Sequence, residues 1–176
     1  MRPQPATHKV DFSGGFLERG FWLYVWEVTP PKGKKLYYVG RTGDSSSPRA
    51  ASPYQRMGQH LGRMKNQNAL RRHLESRGIA PERCRRFRFV TRGPIRSDAS
   101  GDEAQHDSRL AVVGPLEMAL IKAMKVSYGK DVVLNKIDDC GTEPNRRLFE
   151  RVRNTFAVQF PKLRRGGPGP TRATSK

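Results

Sequence analysis

The sequence predicts an α+β domain: a small three-stranded antiparallel sheet flanked by helices. Three observations carry this. Residues 21–28 and 35–41 are aromatic and β-branched and are separated by a Pro/Gly cluster, the pattern of an antiparallel hairpin. Residues 85–91 alternate basic and apolar side chains, as a half-buried third strand does. Helix-period apolar residues fill the segments between and after the strands.

The first strand spans 21–28, where Trp22, Tyr24, Val25, Trp26 and Val28 favour extended backbone. Thr29, Pro30, Pro31, Lys32 and Gly33 make the turn, and the second strand covers 35–41. Residues 42–52 read as a loop. Ser52 followed by Pro53 reads as an N-cap with proline at the first helical position. The helix it opens runs to about Met64, with Met57, Leu61 and Met64 on one stripe. A second helix covers about 67–77, with Leu70 and Leu74 inward and Gly78 as its stop. After the third strand, residues 96–107 read as a polar loop or short helical lead-in. Gly114 and Pro115 then open a helix to about Tyr128, with Leu116, Leu120, Ile121 and Met124 on its apolar face. Residues 131–137 are a short apolar segment. Residues 145–158 form a last basic amphipathic helix, with Leu148, Val152 and Phe156 on one side. The organisation is thus a flexible arm at 1–18, one domain at 19–140, a basic C-terminal helix at 141–160 and a disordered basic tail at 161–176.

Charge narrows the partner. The 176 residues carry a formal net charge of +18. Residues 45–95 hold twelve Lys/Arg against two acids, and residues 141–176 hold nine against two, whereas residues 96–140 are net −2. Two basic blocks suit a surface that tracks a phosphate backbone. A merely solvated basic surface is the plainer alternative, disfavoured because one-sided charge repels itself. An anionic membrane or acidic protein also fits charge alone. No apolar run of about 18 residues exists to span a membrane. The first ten residues lack the apolar core of a secretory signal. Cys84 and Cys140 are far apart and make no zinc pattern with the four histidines, so reduced thiols and a cytoplasmic location are expected.

Several residues could carry chemistry. Tyr24 and Tyr38 sit on the two strands of the hairpin, where residues can share one face of the sheet. Gly40 shares a face with Tyr38, and a glycine inside a strand suits close approach to the backbone, by a phosphate for example. Arg41 ends the strand. Arg56 and His60 are four apart on a helix, which places a guanidinium beside an imidazole. Arginine holds phosphate oxygens through paired hydrogen bonds, and histidine moves a proton near neutral pH. Glu117 falls in the first turn if Pro115 opens the helix, where the helix dipole favours an acid. It also borders the inward face, where a half-buried acid can hold Mg²⁺. Taken singly, each has a bland reading as core aromatic or solvated helix face.

Together they resemble a known series. Trp22-Leu23-Tyr24, then Tyr38-Val39-Gly40-Arg41-Thr42, then Arg56 and His60, then Glu117 and finally Asn135 are similar in order and spacing to the motifs of the GIY-YIG nuclease superfamily. The resemblance covers roughly residues 20–137. It departs at the first motif, where Trp22 and Leu23 replace glycine and isoleucine, and in the long acidic linker before Glu117. It implies a GIY-YIG-like fold and a divalent-metal-dependent endonuclease acting on double-stranded DNA, with Mg²⁺ or Mn²⁺ as cofactor. Tyr24, directly or with His60, would activate water, and Tyr38 would orient the water or share that role. Arg56 and Arg41 would offset charge growing at phosphorus. Glu117 would hold the metal and Asn135 would position the site or the phosphate. A phenol with a reference pKa of about 10 is a poor base at neutral pH, so the basic surroundings and Arg56 are expected to favour phenolate. Further DNA contacts are expected from Gly40, Lys34, Lys35, Arg63, Lys65, Arg71, Arg72, Arg146 and Arg147. Within this reading a compact, restriction-type enzyme, acting as a homodimer on a palindromic site, comes first, ahead of repair or mobile-element nucleases. The rivals are an inactive nucleic-acid-binding protein of the same fold and an interaction protein that docks acidic partners through residues 141–176.

Overall fold

A computed structural model describes residues 7–43, 49–64, 68–98, 101–136 and 141–164. The protein is α+β. A three-stranded antiparallel sheet of order β2-β1-β3 carries β1 (Gly20–Thr29), β2 (Leu36–Arg41) and β3 (Arg86–Ser97). Four helices surround it: α1 (Pro53–Leu61), α2 (Ala69–Glu75), α3 (Glu103–Tyr128) and α4 (Arg146–Gln159).

The central strand β1 is buried along almost its whole length, so both of its faces are core. Residues directly opposite in an antiparallel pair share a face. Tyr24 stands opposite Gly40 and Thr91, and Trp26 opposite Tyr38 and Phe89, which defines one face. Leu23 stands opposite Arg41 and Val25 opposite Val39, which defines the other. The first face packs on α1 and α2, where the Tyr38 ring lies 5.3 Å from that of His60 and 5.5 Å from that of His73. The second packs on α3, where Tyr37 lies 4.5 Å from Tyr128.

Ser52 caps α1 as expected. Its hydroxyl accepts from the Gln55 amide, the Gln55 side chain accepts from the Ser52 amide, and Pro53 opens the helix. The helix ends at Leu61, however, so Met64 lies beyond it and is 70% exposed. In α2, Leu70 and Leu74 are fully buried, and Gly78 follows at φ +71°, a left-handed conformation that ends a helix at low steric cost.

Two expectations are revised. The third strand runs to Ser97, because pairing of Gly20 with Ser97 and Phe21 with Arg96 continues past the Gly93–Pro94 breaker. Helix α3 starts at Glu103, where Asp102 accepts from the Gln105 amide, and Pro115 lies inside it. A proline there removes a hydrogen bond to the carbonyl of Ala111, but Ala111 is exposed, so water can take that carbonyl. Glu117 is therefore far from the helix start, and the dipole argument for its placement fails. Short turns also lie outside residues 19–160, at Gly14–Leu17 and Pro161–Arg164. Phe16 packs edge-on against Phe89, and residues 161–164 form a turn that buries Leu163.

Helix α4 buries Val152 and Phe156 as its spacing predicts, with Leu148 half-buried. The segment after α3 runs alongside β2. Tyr37 donates to the Val132 carbonyl and accepts from the Leu134 amide, both at 2.8 Å.

Candidate functional site

Four consecutive residues of β2 organise the site, and each meets one predicted partner. Tyr38 meets His60 edge-on. The Val39 amide donates to Asn135 Oδ1 and its carbonyl accepts from Asn135 Nδ2, both at 2.8 Å. Gly40 lies under Tyr24. Arg41 Nη1 donates to Glu117 Oε2 at 2.7 Å.

Gly40 makes room for a phenol. A Cβ on it would stand 2.4 Å from Tyr24 Oη and 2.5 Å from the ring. The group that approaches this backbone is therefore Tyr24, which replaces the phosphate expected from the sequence. Tyr24 and His60 are each 1% exposed, and Tyr24 Oη lies 2.5 Å from His60 Nε2. Arg56, on the same helix face as His60, donates from Nε to Tyr24 Oη at 3.3 Å and from Nη1 to Gln59 at 3.2 Å.

Burial, then Arg56, then His73 pushes the His60 pKa down to about 3. The imidazole is neutral at pH 7, so Nε2 can accept the phenolic proton while Arg56 donates to the phenol oxygen. That places the proton of His60 on Nδ1, which has no partner. The His73 pKa is also lowered, mainly by burial and then by Arg72. The site expected from the sequence lacks His73 and Gln59. His73 follows only from the packing of α2 on β2, whereas Gln59 reaches Arg56 by i,i+3 spacing within α1.

Arg41 and Glu117 stand on the opposite face of the sheet, 21% and 17% exposed. Gly114 allows this pairing, since a Cβ there would lie 3.3 Å from Arg41 Nη1. The second nitrogen position, Arg41 Nε, is buried without a partner. Asn135 occupies the strand edge between the two clusters. Its amide oxygen and one amide hydrogen bind the Val39 backbone, so it holds the edge of β2. The predicted residues thus converge on β2 but on two faces, with Tyr24, Tyr38, Arg56 and His60 in front and Arg41 with Glu117 behind.

The expected surface cations divide similarly. Lys35 is committed to the buried Glu27 at 2.9 Å, and Arg88 approaches the same acid at 3.9 Å. That acid, after burial, helps push the neighbouring Tyr37 hydroxyl up to about 12. Arg71 is a structural clamp, holding the Leu61 carbonyl, Glu75 and Glu82. Lys34 pairs loosely with Asp131 at 3.7 Å and Arg63 with Glu82 at 3.6 Å, both cations highly exposed. Arg72, Arg146 and Arg147 are exposed. Lys65 and Cys140 lie outside the described residues.

Among the described residues no three His, Cys, Asp or Glu side chains converge as a metal cage. No described helix is long and apolar enough to cross a membrane. Comparison with protein families, with curated proteins and with solved structures finds no match for this chain.

Proposed function

We propose that this protein is a divalent-metal-dependent DNA endonuclease of the GIY-YIG type. The observation that carries the reading is β2, which draws Tyr24, Tyr38, Arg41, Arg56, His60, Glu117 and Asn135 onto four consecutive residues.

In this reading Arg56 takes a non-bridging phosphate oxygen. Leaving the Tyr24 hydroxyl for the phosphate also opens that hydroxyl to the attacking water. Tyr24 then removes the proton of the water and passes its own phenolic proton to His60 Nε2. Arg41 and Glu117, paired with each other on the opposite face of the sheet, would have to part and reach the same phosphate round the end of β2, Arg41 to offset negative charge at phosphorus. Among the described residues Glu117 is the one acid paired to β2 at Arg41, and one carboxylate supplemented by substrate phosphate and water is a usual setting for Mg²⁺. The ion would supply charge neutralisation at the leaving 3′ oxygen. The basic surface, net +18, would hold the duplex and make binding steeply salt-dependent.

The test is nicking of supercoiled plasmid with Mg²⁺ or Mn²⁺ by wild type and by Tyr24→Phe, Arg56→Ala and Glu117→Gln. Loss of cutting in all three variants is expected. Equal cutting by wild type and variants, or none by any, refutes it. A second reading is a nucleic-acid-binding protein of the same fold without activity. It is favoured by the near-complete burial of Tyr24 and His60. DNA binding without cleavage under any divalent ion would select it. Sequencing of product ends, with the oligomeric state on DNA, would then tell restriction-type cutting by a dimer from cutting without sequence preference.

A further inference from the structure

The surface carries an aromatic cluster that the proposed chemistry does not use. Phe12 and Tyr54 are each 47% exposed, and their ring centroids are 5.4 Å apart. Phe12 also contacts Phe16 at 5.3 Å, Phe16 meets Phe89 edge-on at 5.8 Å, and Phe89 lies 5.1 Å from Tyr24. The rings form a continuous path from solvent to the buried phenol. Packing explains the inner rings, since Phe89 also stacks on Trp26 at 4.3 Å. It does not explain why the path ends in two rings half open to water, beside Leu17 at 52% exposure.

Charge points to the occupant. Tyr54 lies in the first turn of α1, two residues before Arg56, and Arg49 is exposed just upstream. An open aromatic surface on the helix that also carries Arg56, in a chain of net charge +18, suits a ligand with both a flat ring and a phosphate. In an intact duplex the faces of the bases are already stacked on one another. Only an unpaired nucleotide offers its face.

We propose that Phe12 and Tyr54 form a stacking platform for an unpaired base of the strand whose phosphate is held at Arg56. The preferred nucleic acid then carries single-stranded nucleotides next to the bound phosphate. This rests on the nucleic-acid reading above but not on catalysis.

The experiment is equilibrium binding in EDTA, where no cutting occurs, by fluorescence anisotropy and by quenching of 2-aminopurine placed in the probe. The probes are a single strand, a duplex with a single-stranded tail and a blunt duplex. Wild type is expected to bind the first two more tightly than the third and to quench the 2-aminopurine. Phe12→Ala and Tyr54→Ala should each weaken binding of the tailed probe by about five- to tenfold and abolish quenching, while changing blunt-duplex binding by less than about twofold. Phe12→Leu and Tyr54→Leu keep apolar area without a ring face and should behave like the alanine variants. Wild-type affinity in the leucine variants overturns stacking and assigns the patch to an apolar protein partner. Equal losses on all three probes, or no loss on any, also overturn it. Failure of the wild type to bind any probe sinks the nucleic-acid reading itself, and absence of cleavage in Mg²⁺ touches only the nuclease.

Discussion

Gly40→Ala tests the geometry of the site most directly. The added methyl would stand 2.4 Å from Tyr24 Oη and 2.5 Å from two ring carbons, well inside van der Waals contact. The phenol has little freedom to retreat. It is 1% exposed, hydrogen-bonded to His60 at 2.5 Å and to Arg56 at 3.3 Å, and packed on Phe89. Overpacking and displacement of those hydrogen bonds should cost about 2–4 kcal/mol together. For a chain of this size that lowers Tm by roughly 5–15 °C. Gly58→Ala is the matched control. Nothing lies within 4 Å of a Cβ there, the position is an exposed helix interior, and the same substitution should stabilise by up to about 1 kcal/mol. Urea unfolding of both variants, and of Gly40→Ala in a Tyr24→Ala background, measures the clash. The cost at Gly40 should largely vanish once the ring is gone. An undiminished cost in that background would refute the account of Gly40 as the seat of the phenol.

Asn135→Ala should destabilise by about 1–3 kcal/mol in urea unfolding, because it strips both backbone groups of Val39 of their partners; an unchanged midpoint would deny Asn135 its holding role. His60 gives a pH signature. With a folded pKa of about 3 against 6.5, the unfolded chain binds a proton that the folded chain refuses, so stability is present above pH 6.5 and falls as pH drops toward 3. Between pH 7 and 5 the wild type should lose about 2 kcal/mol more than His60→Gln, and parallel pH profiles would contradict neutral burial of the ring. Glu117→Leu should cost about 1–3 kcal/mol by leaving Arg41 unpaired, whereas Arg41→Met with Glu117→Leu should recover much of it; thermal melts in which the double variant is the worst would remove the ion pair as the element joining β2 to α3.

Much of this architecture is local and was readable before any coordinates. Trp22 to Val28 and Leu36 to Arg41 favour extended backbone by their own side chains, and the prolines and glycine between them permit only a turn. Ser52, Pro53 and Gln55 carry the whole start of α1, and the spacing of Val152 and Phe156 marks the buried side of α4. The candidate site was legible as a set of residues, because Tyr38, Gly40 and Arg41 are close in sequence and Arg56 and His60 are one helical turn apart. Its arrangement was not legible. Gly114–Pro115 resembles a helix start in every local respect, and only the earlier cap at Asp102 and the exposure of Ala111 show why the helix runs through it. Lys35 and Arg71 look like free surface cations until Glu27, Glu75 and Glu82 are brought beside them.

The sequence alone determined the sheet-forming segments, the basic balance and the order of the chemically useful side chains, since these depend on neighbours along the chain. Tertiary structure decided which face of β2 each of those side chains occupies, that Tyr24 and His60 are buried, that Asn135 serves the strand edge and that Phe12 meets Tyr54 at the surface. The physical reason is the same for all of these. Burial, pairing and contact between distant segments depend on strand register and on the packing of helices on both faces of the sheet, and neither quantity is a property of any short stretch of residues.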